Sequence, residues 1–167
     1  EVAPMETIDY LPLVAAGAEG LVVYQETYHR ESYAIAHVNG PKKDFDWRLD
    51  CPERGHEAGF RRIGIGALFG LWDWRFEAIA LAAHLEYLQK VCWKSQLTVS
   101  LPRLRPAAGE YEPQHPLADR EFIQLICALR VTFPTVGIVL STREPAALRD
   151  LLAPMGITMM SAGSHTE

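Results

Sequence analysis

At 167 residues, 49% hydrophobic and 22% charged, the chain is long enough to bury a real core and too apolar for disorder. Its formal charge of -5 and isoelectric point near 5.7 exclude the basic field that nucleic acid or an anionic membrane surface requires. The expected partner is a small molecule. No apolar run reaches the ~20 residues of a spanning helix, and no basic leader precedes an apolar stretch, so the expected compartment is the cytoplasm. Cys51, Cys92 and Cys127 are too scattered for a metal knuckle and odd in number for a disulfide framework, and they read as free thiols in a reducing environment.

In chain order, the opening EVAPM has no cap or turn ahead of it and reads as the interior of something longer. A helical pattern over 8–18 leads to a strand at 21–24, then to helices over 31–38 and 52–60. Strands follow at 62–68, 97–101, 137–141 and 157–161. Between them, Phe76, Ala80, Ala83, Tyr87 and Val91 follow helical spacing, as do Phe122, Ile126, Leu129 and Phe133; each set predicts the buried stripe of a helix. Asp73 and Asp119 stand at predicted N-caps, Pro145 in a first turn, and Gly156 at a C-terminal stop. No repeat or low-complexity linker divides the chain, so 1–167 is expected to be a single domain.

Strands alternating with helices predict right-handed βαβ units and a parallel α/β sheet. Functional residues of such folds sit where the strands end, and each predicted strand here ends in polar residues: QETYHR, LWDWR, PRLRP, STRE and SAGSHT. Five consecutive polar ends favour a barrel mouth over an open sheet with one switch point. Residues 102–116 read as a long loop over that mouth.

At this mouth Glu26 is either a solvated loop acid or an acceptor for a ligand amine. Tyr24, Tyr28 and Tyr33 in the same segment favour the second by offering rings and hydroxyls. Gly64, Gly66 and Gly70 admit a close backbone approach or simply pack, since their spacing is not that of a dinucleotide fingerprint. Arg103 and Arg105, two residues apart in an extended segment, share one side; they hold an anion between them or are satisfied by surface acids. Arg143 and Ser161 follow adjacent predicted strands and would make a carboxylate clamp of one charge and one hydroxyl. The six histidines are dispersed, and no nucleophile has a base placed beside it.

Six stretches in order, YQETYH, HVNGPKKDFDWRL, GIGALFGL, SLPRLRP, LSTRE and SAGS, resemble the aromatic-amino-acid lyase branch of the radical S-adenosylmethionine enzymes over essentially the whole chain. The resemblance implies a (β/α)8-type TIM barrel, of which this chain holds about the last five βα units. It implies two cofactors, S-adenosylmethionine and a 4Fe-4S cluster that reduces it to a deoxyadenosyl radical. It further implies cleavage of the Cα–Cβ bond of tyrosine to dehydroglycine and p-cresol for the thiamine thiazole, with a thiazole synthase as a possible partner. The cluster's CxxxCxxC loop is not in this sequence; the resemblance puts it upstream of Glu1, so this stretch alone is expected to hold no cluster and be inactive.

Residue by residue, Glu26 resembles the acid that binds the cofactor's amino group and Arg48 the base that meets its carboxylate. Gly64, Ile65 and Gly66 match the strand behind the adenine. Arg143 and Ser161 match positions that hold the substrate carboxylate, with Arg103 and Arg105 on the same mouth. Two alternatives stand beside this reading: a hydrogenase-maturation tyrosine lyase of the same branch, and a noncatalytic half-barrel that binds a nucleoside or amino acid.

Overall fold

The computed structural model describes residues 3–104 and 113–163. Five parallel strands, β1 Gly20–Val22, β2 Arg62–Gly66, β3 Gln96–Ser100, β4 Gly137–Leu140 and β5 Met159–Met160, form one sheet in the order of the chain. A doubly wound sheet reverses its strand order at a switch point. An unbroken 1-2-3-4-5 order is instead the winding of a barrel wall. The helices are α1 Thr7–Ala15, α2 Arg30–Ala36, α3 Phe45–Leu49, α4 Cys51–Ala58, α5 Trp74–Val91, α6 Asp119–Thr132 and α7 Ala146–Leu152.

Alternation along the strands separates two faces. Leu21 of β1 and Ile63 of β2 point outward: a Cβ on Gly55 of α4 would lie 2.4 Å from Leu21 and 3.3 Å from Ile63. The opposite, inner face carries small side chains. Val22, Gly64, Thr98 and Gly137 stand in register across four strands, with Gly66, Ser100 and Val139 one step further along. Bulk is therefore concentrated between sheet and helices, where Ile63, Ile65, Val99, Ile138 and Leu140 meet Leu81, Leu85, Phe122 and Ile126 in one buried cluster. Each fully buried side chain of this size contributes ~1.5–3 kcal/mol.

The two long helices treat the predicted stripes differently. On α6, Phe122, Ile126 and Leu129 are buried as expected, joined by Leu125. On α5 the predicted stripe is the wrong one, because Phe76 and Tyr87 are 43% and 47% exposed. The buried set is Trp74, Glu77, Leu81, Leu85 and Leu88. Both sets have helical spacing, and Phe76 and Tyr87 attracted the reading by size; the leucines, one column over, reach the sheet.

Asp73 caps α5 as expected, accepting from the backbone N–H groups of Arg75 and Phe76 at 3.0 Å each. Asp119 does not cap α6. Ala118 is the N-cap, and Glu121 accepts from its N–H at 3.3 Å, which leaves Asp119 for another task. The thiols are free: Cys51 and Cys92 are buried and Cys127 is half-buried. Burial pushes the Cys92 thiol up to about 11, which suits a packed thiol better than a reactive one.

Candidate active site

The strand ladder does not stop at the strand ends. Gln25 N–H donates to Gly66 O at 3.0 Å, Leu68 N–H to Glu26 O at 2.7 Å, Phe69 N–H to Pro102 O and Leu104 N–H to Phe69 O at 2.8 Å. Isolated parallel bridges at Glu26–Ala67 and Phe69–Arg103 extend the sheet into the mouth. Glu26 and Arg103 thus ride on the sheet rather than on free loops.

Glu26 is the only non-glycine among the described residues with a positive φ, 73°. This left-handed geometry costs a residue with a Cβ ~1–3 kcal/mol and persists only where the surroundings enforce it. It turns the carboxylate toward two cations, with Arg48 Nη2 at 3.5 Å and Lys42 Nζ at 3.7 Å from Oε1. Arg48, from α3, is only 6% exposed and is anchored by its Nε, which donates to Tyr24 O at 2.7 Å. Its Nη1 is buried and has no partner.

A buried guanidinium nitrogen without an acceptor is costly, and here it lies beside a half-buried carboxylate with a long ion pair. Such a pair is the complement of an amino-acid head group: the carboxylate accepts from an ammonium, and the free guanidinium edge donates to a carboxylate. The amino-acid end of S-adenosylmethionine meets that description, and so would a free amino acid. Lys42 was not expected; its signal was its place in the same quoted stretch as Arg48.

Gly64, Ile65 and Gly66 lie on β2 as predicted. A Cβ on Gly66 would fall 2.6 Å from Ser100 O and 2.9 Å from the Tyr24 ring, and one on Gly64 would fall 2.9 Å from Val22 and 3.0 Å from Thr98. The glycines let these inner-face side chains lie flat against the sheet. Ile65 is 1% exposed and alternates with them to the outer face, so it has only its backbone to offer a ligand on the inner one.

Of the three tyrosines around Glu26, two are taken up in packing. Tyr28 OH pairs with His84 Nδ1 at 2.8 Å, and Tyr33 OH donates to Lys42 O at 2.5 Å. Both residues are buried. Burial depresses His84 to about 4 and raises Tyr28 beyond its ordinary range. Tyr24 alone of the three is half-buried, on the inner face.

Beneath the Glu26 loop is a residue the sequence did not reveal. Glu77 of α5 is fully buried; it accepts from the Thr27 hydroxyl and, at 2.8 Å, from Tyr28 N–H. Burial raises its pKa, opposed by these hydrogen bonds and by one from the His29 backbone. The available signal is an acid on the Leu81–Leu85–Leu88 stripe, masked by the larger Phe76 and Tyr87 in the neighbouring helical column.

On the far side of the mouth, the structure brings Arg143 and Ser161 to adjacent segments. Ser161 N–H donates to Leu140 O at 3.0 Å and its hydroxyl accepts from Thr142 N–H at 3.2 Å. Arg143 is half-buried; its N–H donates to the Ser141 hydroxyl at 3.2 Å, with Nε 3.5 Å from the same oxygen.

Arg103 differs. It is 5% exposed, and its Nε donates to Glu144 Oε1 at 2.9 Å while Nη2 pairs with Glu144 Oε2. Its Nη1 donates to Leu117 O at 2.9 Å and Asp119 Oδ1 at 2.8 Å, and its plane covers the Phe122 ring at 4.5 Å. With its fork closed by the buried Glu144 and the exposed Asp119, Arg103 has little left to offer a ligand carboxylate; of the two readings of PRLRP it follows the one in which acids of the chain satisfy the arginine, and not the substrate-binding one. Arg105 lies outside the described residues. Among the described residues no group of three or more His, Cys, Asp or Glu could hold a metal ion, and no helix is long and apolar enough to cross a membrane.

Comparison with known proteins bears on the same residues. Residues 100–167 match the Biotin and Thiamin Synthesis associated domain. The chain is 45% identical over its whole length to 2-iminoacetate synthase of Escherichia coli and 44% identical to that of Salmonella typhimurium, spanning 45% of each. It therefore covers less than half the length of these relatives. Two crystal structures of HydG, a maturase of the FeFe-hydrogenase, superpose on 98% of the chain. One matches with TM-score 0.91 at 36% identity over 37% of its length; the other, from Carboxydothermus hydrogenoformans, with 0.90 at 42% over 38%.

Proposed function

As a member of the aromatic-amino-acid lyase branch of the radical S-adenosylmethionine enzymes, this chain, we propose, is the single-domain latter part of the barrel of a cytoplasmic tyrosine lyase. The whole enzyme cleaves the Cα–Cβ bond of tyrosine and delivers 2-iminoacetate to thiamine thiazole synthesis, with a thiazole synthase as the recipient. When bound, S-adenosylmethionine and a 4Fe-4S cluster held outside this stretch supply the radical that starts the cleavage.

The residues of this chain bind and orient. Glu26 accepts from the cofactor's ammonium, and Arg48 gives its unpartnered Nη1 to the cofactor's carboxylate; that buried, unsatisfied nitrogen beside a carboxylate is the observation that carries the reading. The small inner face around Gly64 and Gly66, with the Ile65 backbone between them, leaves room for the flat nucleoside. Across the mouth, the Arg143 guanidinium and the Ser161 hydroxyl receive the tyrosine carboxylate. The two sites stand at opposite ends of the five-strand wall, so cofactor and substrate approach each other over its inner face.

The thiamine assignment follows the two relatives named 2-iminoacetate synthase; the structural likeness to HydG favours the maturase as second reading. The whole reconstituted protein, given tyrosine and S-adenosylmethionine, is expected to release p-cresol without carbon monoxide or cyanide. Appearance of those two products selects the maturase. Absence of p-cresol with intact cofactor binding selects the noncatalytic module.

A further inference from the structure

We infer that Glu77 is a positioning residue that holds Glu26 in its ligand-binding geometry; this rests on the assignment of Glu26 to the cofactor's ammonium. Glu26 has φ 73°, and nothing in its own side chain enforces that conformation: its cations lie at 3.5 and 3.7 Å. An L residue released from such a geometry relaxes to negative φ, which swings the Cβ and carries the carboxylate away from Arg48. The backbone must be held from both sides of the residue.

On the N-terminal side, Gln25 is tied to Gly66 O through its N–H and to Phe45 O through its side chain at 3.2 Å. On the C-terminal side Glu26 O accepts from Leu68 N–H at 2.7 Å, and the residues that follow are held by Glu77. Its two oxygens receive the Thr27 hydroxyl and the Tyr28 N–H, and the Thr27 oxygen in turn receives His29 N–H at 3.1 Å. One carboxylate thus gathers the three residues that follow Glu26. Seven residues further along α5, on the same side of the helix, His84 Nδ1 pairs with the other end of Tyr28, its hydroxyl, at 2.8 Å. The helix acts as a ruler against which the loop is laid. A leucine at position 77 would continue the apolar stripe, so the acid is retained at a cost in burial that its loop donors offset.

The test is a double-mutant cycle on S-adenosylmethionine affinity, measured anaerobically by calorimetry on the whole cluster-loaded protein. The proteins are the parent, Glu26→Gln, Glu77→Met and the double variant. Glu77→Met is expected to weaken S-adenosylmethionine about tenfold, the worth of one charged hydrogen bond, and to leave tyrosine affinity within about twofold. In the Glu26→Gln background the same change should cost less than about twofold, because the group it positions is already gone. Glu77→Gln, which keeps an acceptor for the rigid Tyr28 N–H, should recover part of the loss. Equal losses in both backgrounds, or no loss, overturn the positioning role. Should Glu77→Met not fold, Thr27→Val enters the same cycle, cutting the contact from the loop side under the same criteria. Unchanged affinity in Glu26→Gln alone instead removes the assignment of Glu26, and the positioning role falls with it.

Discussion

Arg48 and Arg103 are equally deep, at 6% and 5% exposure, and both stand where the sheet runs into the barrel mouth, yet their surroundings differ in kind. Arg103 meets two carboxylates, a carbonyl and an aromatic face. Arg48 meets one carbonyl and a distant carboxylate, and one of its nitrogens meets nothing. A guanidinium closed by internal acids serves the fold, tying the end of β3 to the loop after β4. One left partly open keeps capacity for a ligand. Arginine near a strand end is therefore not enough to mark a binding residue; the count of its satisfied donors separates the two uses.

The largest effect expected from this contrast is on stability. Arg103→Met leaves Glu144, itself 4% exposed, as a buried charge without its bidentate partner, and should cost ~3–5 kcal/mol in denaturant unfolding. A loss below ~1 kcal/mol would show that water or another cation takes over. Next comes Arg48→Met, which removes a donor already short of partners. It should lower S-adenosylmethionine affinity by about ten- to a hundredfold while costing less stability than Arg103→Met; the reverse ranking would dissolve the distinction.

Arg143→Lys, which replaces a planar fork by a point charge, should weaken tyrosine binding by about tenfold or less and leave S-adenosylmethionine binding unchanged if the two proposed sites are separate. The smallest effect concerns His84. Its folded pKa is depressed from 6.5 to about 4, so the unfolded chain takes up the proton first, and its contribution to stability is present above pH 6.5 and lost as the pH falls toward 4. His84→Gln, which keeps an acceptor for Tyr28, should flatten that part of the stability profile. A parent profile as flat as the variant's would place His84 in water.

Much of this was readable along the chain. Strands were expected at each of the five places where they form, although β1 is limited to Gly20–Val22 and β5 to Met159–Met160, because turn residues and β-branched runs act locally. The Asp73 cap is local in the same way. The polar strand ends identified the mouth because a parallel sheet collects its loops at one end. Glu26, Arg48, Arg143 and Ser161 stand in stretches that the resemblance singled out; the fold brings Arg48 within 3.5 Å of Glu26 and puts Arg143 and Ser161 on adjacent segments.

What the chain could not reveal by itself lies between elements. The buried column of α5 was ambiguous because two helical columns carry large apolar residues; packing on the sheet chose the one with Glu77, Leu81, Leu85 and Leu88. Arg103 looked like half of an anion site because its partners stand far away in sequence, Asp119 at the start of α6 and Glu144 after β4. Local pattern determined where strands begin, where helices are capped and which polar groups reach the mouth, since those depend on neighbours within a few residues. Only the tertiary structure decided which of those groups are spent on one another, because satisfaction of a charge is settled by whatever the fold brings within hydrogen-bonding distance.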